Sequence, residues 1–202
     1  TDAALGMRGA LDRAGEILRS TPGAFQPSQF DNPAGPAAHY AATGPEIAAA
    51  CREQGFEPAA FAAGVGSGAT LCGTAKYLKE QYPALRAFAV EPAESPLLSG
   101  GTAGPHGIQG IGANFVPGVY DPSLADGVLD IPTADARETA RLLLRREGVN
   151  AGISSGANLR AAMLLAARAE FRGKHIVTIA CDTGERYLST DLFPHETDGA
   201  AS

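Results

Sequence analysis

Apolar residues recur at helical spacing between Gly6 and Ser20. Met7, Ala10, Leu11, Ala14, Ile17 and Leu18 fall on one face of a 3.6-residue period, and Pro22-Gly23 ends it. Residues 24–36 show no period, are rich in Pro, Gly and Asn, and are predicted as a turn-containing connection. Thr43 is placed to cap a helix from Pro45 to Glu53, with Pro in the first turn and Glu46 three residues after the cap. From residue 59 onward, short apolar runs alternate with helical stretches. Ala59–Ala63, Arg86–Val90, Gly127–Ile131 and His175–Ala180 are predicted strands. Thr70–Gln81, Ala134–Glu147 and Ala157–Glu170 are predicted helices. Glycine-rich turns at Gly64–Ala69 and Gly152–Gly156 lead into two of them. This alternation predicts an α/β fold: a parallel sheet with helices on both faces. The stretch after Phe193 is a polar tail, expected to fray.

Composition narrows the picture without changing it. With 202 residues, 45% of them hydrophobic, the chain is long enough for one core or one and a half domains. A net charge of -6 and the lack of a basic stripe argue against a nucleic-acid partner. No apolar run approaches the roughly 18 residues of a membrane span, and Thr1–Arg8 has no signal-peptide layout. Cys51, Cys72 and Cys181 are odd in number and lack metal-type spacing, so buried thiols in a reducing cytoplasm are expected. His39, His106, His175 and His195 are scattered, with no pair at helical ligand spacing, and no metal site is expected.

The strongest local signal is Gly64-Val65-Gly66-Ser67-Gly68-Ala69-Thr70, directly after a predicted strand and opening a predicted helix. Glycines allow several N–H groups to face one point, and a helix N-terminus adds partial positive charge. Ser67 and Thr70 add hydroxyl donors. The pattern suits a phosphate or carboxylate, with a tight turn that binds no ligand as the competing reading. It is neither a Walker loop nor the dinucleotide fingerprint. Gly152-Ile153-Ser154-Ser155-Gly156-Ala157-Asn158 is a second such junction, where Ser154 or Ser155 is a site residue or a helix cap. Asp182-Thr183 and Glu91-Pro92 follow strands, on the edge where open α/β sheets bind ligands. The competing readings are a cap for a short helix over Gly184–Thr190 and a surface carboxylate before a rigid turn.

Seven stretches in order resemble the cysteine synthase branch of the fold-type II enzymes that depend on pyridoxal 5'-phosphate (PLP). They are Gln29–Ala34, Thr43–Ile47, Gly64–Thr70, Ala89–Pro92, Ile108–Ala113, Gly152–Ala157 and Gly184–Thr190, spread between Gly6 and Phe193. The resemblance implies a three-layer parallel-sheet domain, N-terminally truncated. Residues 1–32 would be a remnant of the smaller N-terminal domain and 33–193 the larger PLP-binding domain, with 194–202 as the tail. It implies that Gly66, Ser67, Gly68, Ala69 and Thr70 hold the PLP phosphate and that Ser154 meets the pyridine nitrogen. Gln29 and Phe30 would lie beside the substrate carboxylate, and Gly112 and Ala113 would form a wall near the substrate side chain. The implied reaction is β-replacement: acetate leaves O-acetylserine and sulfide takes its place. The implied setting is a cytoplasmic homodimer, when complete, with serine acetyltransferase among its partners.

Departures from the family pattern accompany the match. Ser67 and Ala69 stand where the family usually has Thr and Gly, and Ser28 replaces a usual Gln. Alanine at 69 requires negative φ. The family's Schiff-base lysine, in a Ser-x-Lys-Asp-Arg context, and its Thr-Ser-Gly-Asn-Thr substrate loop are not in this sequence. The lysines present are Lys76, Lys79 and Lys174. Lys76 is six residues into the helix after the cradle, about 9 Å up its axis; Lys79 reads as a solvated face, and Lys174 precedes a strand at the opposite edge. None is expected to carry the cofactor, so the chain alone is expected to be inactive. Two alternatives remain open: another PLP lyase of this fold, such as cystathionine β-synthase or a thiosulfate-using cysteine synthase, or a non-catalytic anion-binding or interaction protein.

Overall fold

A computed structural model of the chain describes residues 1–193; the predicted tail at 194–202 lies outside the described residues. In chain order the elements are α1 (Gly6–Ser20), α2 (Ala34–Ala41), α3 (Thr43–Glu53), β1 (Pro58–Gly64), α4 (Ala69–Gln81) and β2 (Arg86–Pro92), then β3 (Gly127–Ile131), α5 (Thr133–Glu147), α6 (Ile153–Ala166) and β4 (His175–Thr178). The strands form one sheet in the order β3-β2-β1-β4, and every pairing is parallel.

The strands are continuous apolar runs because both faces of the sheet are covered. Ala60, Ala62, Phe88, Val90, Leu129 and Ile131 face one way, against Ile153, Ala157, Ala161 and Leu165 of α6 and Ala136 and Ala140 of α5. Phe61, Ala63, Ala87 and Ala89 face the other way, against Leu71, Ala75 and Leu78 of α4 and Ala48 of α3. The small strand residues let helices approach closely, and each fully buried Leu contributes about 1.5–3 kcal/mol. The predicted α/β architecture with helices on both faces is therefore the one observed. Among the described residues, no helix is long and apolar enough to cross a membrane.

Several predicted boundaries move. Helix α2 falls in the stretch that reads partly as a connection. Its Pro36 is the third helical residue, where no intrahelical bond is lost, and the Asn32 side chain accepts from the Ala34 N–H at 2.9 Å. Thr43 is not a cap: it is the first residue of α3, Ala42 takes the cap position, and no side chain caps that end. Helix α6 starts at Ile153 and ends at Ala166, four residues earlier at both ends than predicted, with a separate 3-10 turn at Ala169–Phe171. Strand β2 runs on through Glu91 to Pro92, while β4 stops at Thr178.

Candidate functional site

The carboxyl ends of β1 and β4 lie side by side. From β1 the chain passes through α4 to β2 on one side, whereas β4 returns after α6 to the other side. Divergence of connections at such a border opens a crevice at the strand ends, the usual ligand position in open α/β sheets. The loop after β1 is held there by two backbone bonds: Val65 N–H donates to the Val90 carbonyl, and Gly112 N–H donates to the Val65 carbonyl, both at 3.0 Å.

Two glycines shape the cradle. A Cβ on Gly66 would strike the Gly110 carbonyl, so only glycine permits this approach of the two loops. Gly68 has φ of 87°, the left-handed region, and a Cβ there would come within 3.0 Å of the Tyr120 Cβ. Ala69 is the first residue of α4, and its backbone lies outside the left-handed region, so the alanine is accommodated. No side chain caps α4, and its first backbone bond runs from Cys72 N–H to the Gly68 carbonyl. Among the described residues, the amides of Thr70 and Leu71 have no backbone acceptor, and Ala69 N–H reaches only the Ser67 hydroxyl at 3.3 Å. Unpaired amides at a helix N-terminus attract an anion.

Across from the cradle stands the first turn of α6. Ser154 is 4% exposed and lines a cavity of about 300 Å³ shared with Gln29, Gly66, Ser67, Gly68 and Thr70. Neither serine is a helix cap: Gly152 takes that position without a side-chain bond, and the Ser155 hydroxyl accepts from the Cys181 N–H at 2.8 Å. Asn158, fully buried, donates from Nδ2 to the Ile179 carbonyl (3.0 Å) and to Cys181 Sγ (3.4 Å). A second cavity, of about 220 Å³, is lined by Gln29, Phe30, Gly112 and Ala113 and shares Gln29, Gly66 and Ser67 with the first. Phe30 is buried and packs edge-on against Phe115 at 4.9 Å. Every predicted site residue thus lies at one of the two adjoining cavities except Ala69, which is buried just behind them as the start of α4.

Asp182, read as lying on the ligand-facing edge, lines the larger cavity, and so do Cys181, Tyr187 and Gln109, to which the sequence reading assigned no role. Cys181 was expected as a buried thiol; Cys51 and Cys72 are buried, but Cys181 is exposed to this cavity because β4 has ended before it. Desolvation around the sulfur, with the Asp182 charge adding to it, raises the Cys181 pKa, so the thiol stays protonated. Tyr187 donates from its hydroxyl to Asp182 Oδ2 at 2.7 Å. Burial first, and then this bond, raise the phenol well above its ordinary value. Among the described residues, Asp182 Oδ1 and Asn158 Oδ1 are buried without a hydrogen-bond partner. Thr183 precedes a 3-10 turn at Gly184–Tyr187 and makes no side-chain cap bond. Glu91, read as a ligand-edge or surface carboxylate, is not on the surface. It is 2% exposed and accepts from Leu98 N–H, Ser99 N–H and the Ser99 hydroxyl, each at 2.8 Å.

Among the described residues, no lysine lines either cavity. Lys76 Nζ sits over the Tyr40 ring, 5.2 Å from its centroid. Lys79 is not a free solvated cation, because it pairs with Asp126 at 2.8 Å. Lys174 lines a cleft at the opposite end of the sheet, beside Glu57 and Arg86.

The chain is similar to known proteins. The chain is 44% identical over 187 residues to a cysteine synthase of Staphylococcus aureus, covering 93% of this chain and 59% of that protein. It is 47% identical over 193 residues to cysteine synthase B of Campylobacter jejuni, covering 96% of this chain and 62% of the relative. The crystal structure of a cysteine synthase from Entamoeba histolytica superimposes with a TM-score of 0.88 at 40% identity, over 98% of this chain and 58% of that one. The chain thus spans about 60% of the length of the curated relatives it matches. A sequence model of the family described as "Pyridoxal-phosphate dependent enzyme" matches residues 4–182, and the chain belongs to that family.

Proposed function

We propose that this chain is the cofactor-binding portion of a cysteine synthase, an enzyme that replaces the acetate of O-acetylserine with sulfide. The observation that carries the reading is convergence. Residues from four separate stretches, Gln29-Phe30, Gly66–Gly68 with Thr70, Gly110–Ala113 and Ser154, meet at two adjoining cavities at the strand ends. Relatives at 44–47% identity support the cysteine synthase assignment. The same resemblance supports a cytoplasmic homodimer for the complete protein, with residues 1–32 belonging to a smaller domain.

The residues present fit PLP. The Thr70 and Leu71 amides without a backbone acceptor and the Ser67 and Thr70 hydroxyls at the start of α4 suit a phosphate dianion, and the Gly66 and Gly68 positions have no room for a side chain. Ser154, on the facing helix, would hold the ring nitrogen with a neutral hydroxyl. PLP, when bound, supplies electron withdrawal from the substrate α-carbon. A serine partner leaves the ring nitrogen without the charge-assisted bond that a carboxylate would make, which suits departure of a β-leaving group. Gln29 and Phe30 would flank the substrate carboxylate, and Gly112-Ala113 would wall its side chain. Tyr187 and Cys181 stay protonated, so neither serves as a base at neutral pH.

Two measurements test the reading. PLP should bind the chain in competition with inorganic phosphate, and pyridoxal lacking the phosphate should bind at least about tenfold more weakly; equal binding of the two would overturn the cradle. Borohydride reduction of the PLP-treated chain should leave no single stoichiometric pyridoxyl-lysine peptide, because Lys76, Lys79 and Lys174 all lie away from the cavities. For the reaction itself, the natural gene product should form cysteine from O-acetylserine and sulfide. Clear preference for a carbon-bearing thiol over sulfide would replace the assignment with a cystathionine β-synthase-type activity.

A further inference from the structure

Helix α2 packs directly on the first turns of α4, and the reason is a single glycine. A Cβ on Gly73 would collide with the Pro36 carbonyl and lie 2.8 Å from the His39 Cβ. Thr70 precedes Gly73 by three residues, so both occupy one face of α4. The close approach brings the His39 ring to the cradle. His39 Nε2 is 3.1 Å from Thr70 Oγ1, and His39 Nδ1 is 2.9 Å from Thr43 Oγ1. Thr43, the first residue of α3, thus has its hydroxyl engaged by the imidazole.

We propose that His39 is a positioning residue for the anion cradle, setting the Thr70 hydroxyl as a donor through a Thr43–His39–Thr70 hydrogen-bond chain whose direction is coupled to occupancy of the cradle. The inference rests on the reading of Gly64–Thr70 as a phosphate site. His39 is half-buried, and desolvation lowers its pKa, so the ring is neutral at neutral pH. A neutral imidazole has one donor and one acceptor nitrogen, and each threonine hydroxyl donates once. The chain therefore has two arrangements. In one, Thr43 O–H donates to Nδ1, Nε2–H donates to Thr70 Oγ1, and the Thr70 proton points into the cavity. In the other, every bond is reversed, and Thr70 presents only lone pairs to the cavity. A phosphate dianion offers acceptors alone, so it selects the first arrangement and is repelled by the second. The imidazole converts a hydroxyl free to face either way into a fixed donor, and polarisation along the chain strengthens that donor.

The test uses the full chain labelled with 15N-histidine, titrated with inorganic phosphate and followed by long-range 1H–15N spectra. The His39 ring should shift toward the Nε2-protonated tautomer, saturating with the same Kd as the Thr70 amide shift. His39→Phe should weaken phosphate binding about three- to tenfold. His39→Gln, whose amide N–H can still donate to Thr70, should stay within about twofold of the wild type. Thr43→Val, which removes the donor to Nδ1 at near-constant shape, should abolish the phosphate-dependent tautomer shift while preserving the fold; it keeps the test decisive should His39→Phe fail to fold. A Thr70 amide that responds to phosphate while the His39 ring nitrogens do not would overturn this inference alone. A Thr70 amide that does not respond at all would overturn the cradle reading, and this inference with it.

Discussion

Helices α1 and α4 are similar in length, and both read clearly as helices, yet they differ completely in what they bury. Helix α4 contributes Leu71, Ala75 and Leu78 to the core with no exposure at all. Helix α1 is the more strongly amphipathic of the two and has no buried residue. Its Met7, Ile17 and Leu18 remain exposed, and Phe25 beyond it is 84% exposed. A hydrophobic stripe thus predicts that a helix has a face to cover; it does not say that the face is covered. What separates the two is the sheet: α4 is the connection between two adjacent parallel strands and lies against both, whereas α1 precedes every strand.

The largest effects should come from the α4 side. Leu78→Ala should cost about 2–5 kcal/mol of unfolding free energy, measured by denaturant titration; a loss below 1 kcal/mol would mean that α4 is no better anchored than α1. Next is Gly68→Val. A β-branched residue at φ of 87° beside Tyr120 should destabilise the chain by about 1–3 kcal/mol and remove phosphate binding. If the folded variant binds inorganic phosphate as well as wild type does, the amides at the start of α4 are not the ligand site.

A smaller effect, spread over pH, concerns Glu91 in the buried half. Burial raises its pKa, with Asp130 adding to the rise, against the three donors that lower it. A carboxyl raised on folding binds its proton more tightly in the native state, so its contribution to stability is full below the unfolded pKa, about 4.3. That contribution declines as pH climbs through the folded value. Glu91→Gln should remove this contribution, seen as a Tm difference between variant and wild type that moves in the variant's favour as pH rises through the folded value. A steeper decline in the variant would give the shift the opposite sign. The smallest effect is expected on α1. Ile17→Ser should stay within about 0.5 kcal/mol by the same titration, and a loss near that of Leu78→Ala would show that α1 docks on the sheet in solution.

Much of the site was legible because its signals are local. Gly68 in a strand-to-helix junction and Ser67 and Thr70 around it are defined by neighbours a few residues away, and they line the larger cavity at the start of α4. Gln29, Phe30, Gly112, Ala113 and Ser154 came from the family resemblance, since nothing in their spacing draws them together. Cys181 and Tyr187 were passed over because one reads as a buried thiol and the other as part of a short helical turn. Their place in the cavity depends on where β4 ends and on the Asp182–Tyr187 bond. Helix α2 was missed for a plain chemical reason: Gly and Pro signal a turn in mid-chain but are tolerated in the first turn of a helix.

By itself the sequence determined the alternation of strands and helices, the apolar runs that require a sheet covered on both faces, and the glycine that a left-handed backbone position demands. Each of these follows from steric and solvation rules acting over a few residues. Tertiary structure alone decided which amphipathic helix is covered, that Ser155 holds the Cys181 amide across 26 positions, and that His39 meets Thr70 across 31. Such contacts depend on how closely two helices or a helix and a strand approach. That distance is set by the packing of side chains such as the missing Cβ of Gly73 against Pro36, which no local pattern encodes.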